Sequence, residues 1–585
     1  MTLSVTAFQS MRSRAALAAL AALALLSGCS RADSSRAGKV ENRQTWAPDK
    51  LTSVQGVPAT EIEALIQKKL AGPRLPRIDD DQWGHTTRLY KLYGNNPLWL
   101  TPDGLHKVRT KALTDAILAA NADGMRLDDY PIGDLADAIG ALKQTKNPSA
   151  EQLATADVLL SASYVALGED LLTGQVDPRT VQQSWHVDPE EENVDSALVR
   201  NLRYEHLDRA LATMRPTDDD YAGLSKQLQT YRAIVAKGGW PRVPDAGTVK
   251  PGEAANAAML AAVRNRLAVE GIVASAGGNA PATAQSGQGA TRPPANRYDP
   301  DLAAAVAIFQ ARHSINVDSA LGKETIDAMN VPAEFRLGQI AANMERWRWL
   351  PRSFGSRYIF VNVPAFKLEA YDSGQKTLEM KVIVGQEYED KATPVFADSM
   401  ETVVFRPYWN VPPKIAAKEI FPKGRDYLAR ENFEVFTENG ETRVRQRPGP
   451  KNALGYVKFL FPNDFNIYLH DTPNHELFDK DVRAFSHGCI RLEKPAELAQ
   501  WVLGWPADRV EEAMKNGPDN RAMKLPRKIP VYIVYFTTYI NNGQLYFGND
   551  LYHRDDTLVP VAMPGALPGK EIVDAVQALR RLAIA

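Results

Sequence analysis

The sequence predicts an α+β protein of several domains. Its 585 residues exceed what a single core usually organises, about 150 residues per domain. Apolar residues recur near a 3.6-residue period from about 56 to 332, and short strand-like runs with glycine turns begin near 358. Hydrophobic content of 44% is ample for ordinary cores. A formal net charge of −1 and no long basic run give no field to draw in nucleic acid, so none is expected as a partner. Glycine-rich phosphate loops are absent as well, which argues against nucleotide chemistry.

Arg12 and Arg14 precede an apolar run over 15–26, closed by Ser27-Gly28-Cys29. This is the build of an export signal, too short to span a bilayer comfortably. The ending Leu26-Ser27-Gly28-Cys29 resembles a bacterial lipoprotein signal over residues 1–29, which implies lipidation of Cys29. A plain secretory signal with an incidental cysteine is the alternative. Ser30 stands where an aspartate would imply inner-membrane retention, so the expected place is the periplasm, anchored to the outer membrane. Polar residues 30–55 read as a tether.

Residues 56–245 read as a helical scaffold. Ile62, Leu65 and Ile66, then Leu113, Ala116, Ile117 and Ala120, keep helical spacing, and a further helix over 154–172 ends at Thr173-Gly174. His85, His106, His186 and His206 share no spacing and read as surface or packing histidines. Between 246 and 335 lie two similarly phrased helical segments, with Met259, Val263 and Leu267 in one and Leu302, Val306 and Phe309 in the other. They resemble a small three-helix peptidoglycan-binding module, interrupted at 275–296 by a low-complexity stretch that reads as a flexible insertion. Asp318-Ser319-Ala320-Leu321-Gly322 departs from the module's usual Asp-Gly loop, which leaves wall binding and a structural spacer as two readings.

From 340 to 525 the pattern becomes mainly β. Strands are expected at 358–363, 367–371 and 380–385, and again at 457–461 and 467–470, with a helix over 496–503. The interval 412–456 opens on Pro412-Pro413, holds an Asn439-Gly440 turn, and reads as a cap over a groove, or as a decorated surface loop. Residues 526–585 are expected to form a C-terminal hairpin, 531–540 with 544–547, and a tail.

The chemistry centres on Ser486-His487-Gly488-Cys489-Ile490-Arg491, with His470 upstream. If Cys29 carries lipid, Cys489 has no partner for a disulfide, and an unpaired thiol in an oxidising compartment is a liability unless it is used. The alternative is a buried cysteine packing as a small apolar group. A strand-end histidine facing a loop cysteine can serve as base and nucleophile, the imidazole favouring thiolate. Gly488 permits a sharp turn, backbone N–H groups of Gly488 and Cys489 could hold an oxyanion, and Arg491 can fork onto a carboxylate. Such parts suit acyl transfer through a thioester.

His470 with the Ser486–Arg491 motif resembles the signature of the YkuD-type L,D-transpeptidases, and 405–413 resembles that family's segment before the cap. The order of leader, scaffold, module and capped domain is similar to the large subgroup of that family. The resemblance implies Cys489 as nucleophile, His470 as general base and acid, and His487 as an orienting residue. Arg491, Ser486, Trp409 and Asn410 are its implied substrate contacts, with a turn residue as the other reading of Ser486 and aromatic core packing that of Trp409. The donor would be a peptidoglycan tetrapeptide stem: Cys489 attacks the meso-diaminopimelate carbonyl and D-alanine leaves. A second stem's amine then forms a 3–3 cross-link, whereas water would make the protein an L,D-carboxypeptidase. Acylation of Cys489 by carbapenems is implied too, with the wall-synthesis enzymes as partners. No metal or organic cofactor is implied. Two other classes stay open: a zinc hydrolase using His470, His475, His487 and Cys489, and a non-enzymatic lipoprotein that braces the wall.

Overall fold

The computed structural model describes residues 43–187, 193–272, 296–387, 391–563 and 570–584. The leader with Cys29, the first half of the expected tether and nearly all of the expected insertion lie outside the described residues. The protein is α+β and built from several cores, and among the described residues no helix is long and apolar enough to cross a membrane.

Helical periodicity builds the scaffold. Ile62 and Ile66 turn one face of Ala59–Leu70 inward, and Leu113 and Ile117 do the same for Lys107–Ala119. Both pack on Ala150–Thr173, which runs buried through the centre of this core. A reciprocal Ser149–Gln152 capping box satisfies the exposed amides at its start. The helix Lys570–Ile584 lays Ile572 and Leu579 into the same core, beside Ile132–Gln144. The expected C-terminal tail is therefore a scaffold helix. Its apolar stripe finds a partner at the far end of the chain, where local reading does not reach.

Ala257–Val269, Pro300–Arg312 and Lys323–Met329 enclose a small core of their own. His313 seats this module, its ring stacked on Phe309 at 3.8 Å and on Phe547 at 5.3 Å. The next helix, Ala333–Arg348, contains the expected boundary between 335 and 340, so no linker divides the units there. Nearly every side chain on it is buried, charged ones included. Arg346 pairs with Asp555 at 2.7 Å, both almost wholly excluded from solvent. Gln339 and Thr537 also donate to the Asp555 carboxylate, at 2.8 and 3.0 Å. One helix thus ties the module, the scaffold and the catalytic sheet together.

The strands from 357 onward are β1 Arg357–Asn362, β2 Lys367–Asp372, β3 Gln375–Gly385 and β4 Val395–Phe405. The cap adds β5 Trp409–Asn410, β6 Phe433–Glu438 and β7 Glu441–Gln446. Then come β8 Val457–Leu460, β9 Leu469–His470, β10 Ala484–Ser486, β11 Ile490–Leu492 and β12 Arg521–Val534. A last hairpin joins β13 Thr538–Asn541 to β14 Gln544–Phe547. The main sheet runs β8-β9-β11-β3-β2-β1-β12-β4 and closes on itself where β4 pairs with β8. β12 corrects the expected hairpin: its residues 531–534 lie parallel to β1 in the sheet, and only β13 and β14 form the hairpin. A register shift between Lys524 and Ile529, around Pro526, hides the first half of β12 from a period-two reading.

The cap leaves the sheet between β4 and β8, which pair with each other, so its two ends meet where Arg406 N–H donates to Tyr456 C=O at 2.8 Å. It starts before the expected Pro412, because β5 is already an edge of its β5-β7-β6 sheet. Replacing Asp555 by alanine strands the buried Arg346 charge. Asp555→Ala is expected to lower unfolding free energy by about 3–5 kcal/mol, read by denaturant titration.

Candidate active site

Sheet register assembles the site. β9 runs parallel to β11, pairing Leu469 with Ile490 and His470 with Arg491. Side chains alternate along a strand, so Tyr468 and His470 share a face with Cys489 and Arg491. Lys458 of β8 lies opposite His470 and joins the same face.

The His470 ring is buried, and its Nδ1 donates to the Asp471 carbonyl at 2.5 Å. That bond fixes the tautomer and leaves Nε2 as a proton acceptor. Burial, with the Arg491 and Lys458 charges beside it, holds His470 down at about 3, so the ring is neutral at pH 7. Burial pushes the Cys489 thiol up to about 11, against opposing pulls from Tyr468, Arg491 and Lys458. The thiol donates to the Asn466 carbonyl at 3.6 Å. At rest the pair is thiol and imidazole, not the thiolate that the sequence suggested.

The motif's other residues sit differently from expectation. Ser486 is buried, and its hydroxyl accepts from Gly488 N–H at 3.1 Å and donates to Cys489 C=O at 2.5 Å. It shapes the nucleophile's turn. The same bond occupies the Gly488 amide, which is therefore unavailable to an oxyanion. Gly488 is needed for its backbone: φ is +110°, and a Cβ would come within 2.9 Å of Ile467. Thr393, which the sequence reading passed over, accepts from Gly385 N–H and donates to Gly488 C=O, at 3.0 and 2.9 Å. No local pattern marks a threonine that bridges two distant strands.

His487 turns its Nε2 to Glu419 of the cap at 2.7 Å, so it joins the motif to the cap instead of orienting the cysteine. Lys391 stands 3.7 Å from the same carboxylate. Burial opposes ionisation of Glu419, but the His487 hydrogen bond and the Lys391 charge hold its carboxyl below the usual range. Trp409 packs with the small core of the cap, 6.1 Å from the Phe433 ring, and Asn410 is exposed on β5. Neither is seen in contact with Cys489. Arg491 and Tyr468 do flank it, and Tyr468 was missed because an aromatic in a strand reads as packing.

A cavity of about 350 Å³ lies alongside, lined in part by Leu460, Asn463, Asn466, Ile467 and Tyr468. A larger one, about 660 Å³, belongs to the scaffold and shares no residue with the motif. Among the described residues, no cluster of three or more His, Cys, Asp or Glu could hold a metal ion.

Residues 356–533 match the family model of the L,D-transpeptidase catalytic domain, YkuD. Residues 84–228 match that of the scaffold domain. The chain therefore carries a YkuD-type catalytic domain behind a scaffold domain. A Haemophilus influenzae protein provisionally named an L,D-transpeptidase is 33% identical over 240 residues, covering 37% of this chain and 48% of that protein. The chain thus spans about half the length of the curated relative it matches. A crystal structure of the L,D-transpeptidase from Xylanimonas cellulosilytica is 14% identical, covering 50% of this chain and 99% of that one at a TM-score of 0.15. A Clostridium acetobutylicum protein described as a fused Zn-dependent amidase/peptidase with a peptidoglycan-binding domain is 11% identical. It covers 50% of this chain and 100% of that one, also at a TM-score of 0.15. At that score neither bears on the fold.

The thiol's raised pKa sets how the L,D-transpeptidase domain meets a simple electrophile. Alkylation needs thiolate, whose share grows about tenfold per pH unit below the pKa. Iodoacetamide is expected to modify Cys489 slowly at pH 7 and about tenfold faster per unit up to pH 10. Peptide mass spectrometry reads the site, and a plateau below pH 8 would show a preformed thiolate.

Proposed function

We propose that the protein is a peptidoglycan L,D-transpeptidase forming 3–3 cross-links through a Cys489 thioester. One observation carries the reading: Cys489 and His470 share a sheet face, with the imidazole tautomer set to accept a proton. Because both groups are neutral at rest, the thiol proton passes to Nε2 as sulfur bonds to the diaminopimelate carbonyl carbon. This reading assigns the developing oxyanion to the Cys489 N–H and to the hydroxyl of Tyr468, which interacts with the thiol, in place of Gly488. His470 then hands the proton to the departing amine of D-alanine. An incoming stem amine, or water, repeats the steps in reverse.

The test mixes soluble protein lacking residues 1–29 with purified disaccharide-tetrapeptide and follows products by mass spectrometry. Expected is a dimer that has lost one D-alanine, absent in Cys489→Ala and His470→Ala, together with a carbapenem adduct on Cys489. Released D-alanine with tripeptide and no dimer would make the protein a carboxypeptidase. Unchanged tetrapeptide and no adduct would return the bracing reading.

The leader supports a second part of the proposal, a periplasmic protein held to the outer membrane by lipid on Cys29. Cys29→Ser is expected to move the protein from the membrane to the soluble fraction on centrifugation. Retention in the membrane would refute the anchor.

A further inference from the structure

Lys458, His470 and Arg491 stand directly opposite one another on three neighbouring strands, β8, β9 and β11. Adjacent strands are about 4.8 Å apart, so the imidazole has a cation on each side within reach of a single small anion. Among the described residues neither cation pairs with a carboxylate, and Arg491 Nε is buried without a partner. Lys458 is half-buried, and its ammonium stands 5.8 Å from the Tyr468 ring centroid. An uncompensated lysine in a half-buried sheet destabilises the fold, and a methionine of similar length would pack there without that penalty. The fold does not explain Lys458. A ligand would.

We infer that Lys458 and Arg491 together grip the terminal carboxylate of the departing residue, so that the site selects donors whose fourth residue ends the peptide. The inference rests on the proposed transpeptidase reading. In that reaction the S–C bond forms, the C–N bond to the fourth residue breaks, and His470 carries the thiol proton to the leaving nitrogen. That nitrogen must therefore come within hydrogen-bond distance of His470 Nε2. In an α-amino acid the carboxyl carbon lies about 2.5 Å from the amine nitrogen, so a free carboxylate falls beside His470, between the two cations. An internal fourth residue, or an amide, places a neutral carbonyl there and leaves both charges unmatched. The same carboxylate also offsets the two cations that oppose protonation of His470, which links recognition of the donor to the base step.

The experiment compares two donors, the disaccharide-tetrapeptide and the same molecule with its terminal carboxyl as a carboxamide. Acyl-enzyme formation and release of D-alanine or D-alaninamide are timed by mass spectrometry for wild type, Lys458→Met and Lys458→Arg. Wild type is expected to favour the carboxylate donor by about 10- to 100-fold in kcat/KM, the range for one or two charge-assisted hydrogen bonds. Lys458→Met should fold at least as stably and lose most of that preference, read as the ratio of the two donors' kcat/KM. Lys458→Arg should retain the preference. Wild type using both donors within about twofold overturns the inference. So does Lys458→Met slowing both donors equally, which would place the lysine's effect on the thiol. Either result leaves the transpeptidase reading standing. Failure of wild type to be acylated by both donors would remove that reading and the inference together.

Discussion

Two residue pairs of parallel strand govern the chemistry. β9 and β11 meet at Leu469–Ile490 and His470–Arg491. Because side chains alternate, a slip of one residue would bury Arg491 and expose Leu469. Leu469 and Ile490 are both wholly buried and hold that register through the core. Asp471 reinforces it from the next position, accepting from Tyr456 N–H and Thr472 N–H at 2.8 and 2.7 Å. The returning end of the cap must pass this carboxylate closely. Only glycine fits at 455, where φ is +59° and a Cβ would sit 2.3 Å from Asp471. The cap is therefore rooted against the residue whose carbonyl fixes the His470 tautomer.

The helices do more than carry this sheet. Trp185–His186 of the scaffold pairs in parallel with β4, which extends the catalytic sheet into the helical half. The His186 ring packs tilted against Phe465 at 4.7 Å, and the adjoining Asn466 carbonyl takes the thiol's hydrogen bond. Scaffold packing thus ends one residue short of the nucleophile's own partner. The buried helix Ala333–Arg348 fixes the other side, with Asn343 holding the Thr537 amide at 3.0 Å just beyond β12. Buried polar networks resist small displacements, since each lost partner leaves a desolvated group behind. A sheet held this way can keep a two-residue ladder in register.

What the sequence disclosed follows from the range of each interaction. Cys489 and His470 were legible because a lone thiol near strand-end histidines is a local pattern. The strands at β1, β2 and β8 were legible from alternation. Lys458 was not, since its meaning lies in a cross-strand neighbour and in the absence of an acid beside it. Ser486, Gly488 and His487 were legible as neighbours of the chemistry, but not the bonds they make, to the turn of the motif and to Glu419. Sequence cannot tell a hydroxyl that closes a turn from one that meets substrate. The buried partners of Arg346 and Arg348, Asp555 and Glu345, become visible only once the helix is formed. The helix Lys570–Ile584 carried its apolar face openly but not the identity of the surface that covers it.

The resting charge state bears on how such a thiol survives. With burial pushing the pKa up to about 11, the thiol form prevails at pH 7, and thiolate is the form that oxidants attack. On the proposed export to an oxidising compartment, a preformed thiolate–imidazolium pair would be exposed to loss whenever the groove stood empty. Here the two cations beside His470 oppose its protonation, and burial opposes ionisation of Cys489. The first of these barriers weakens when an anionic donor occupies the row of Lys458, His470 and Arg491, because its charge raises the imidazole's affinity for the thiol proton. The same arrangement that makes the free thiol sluggish toward simple electrophiles would then release its reactivity to a carboxylate-bearing substrate.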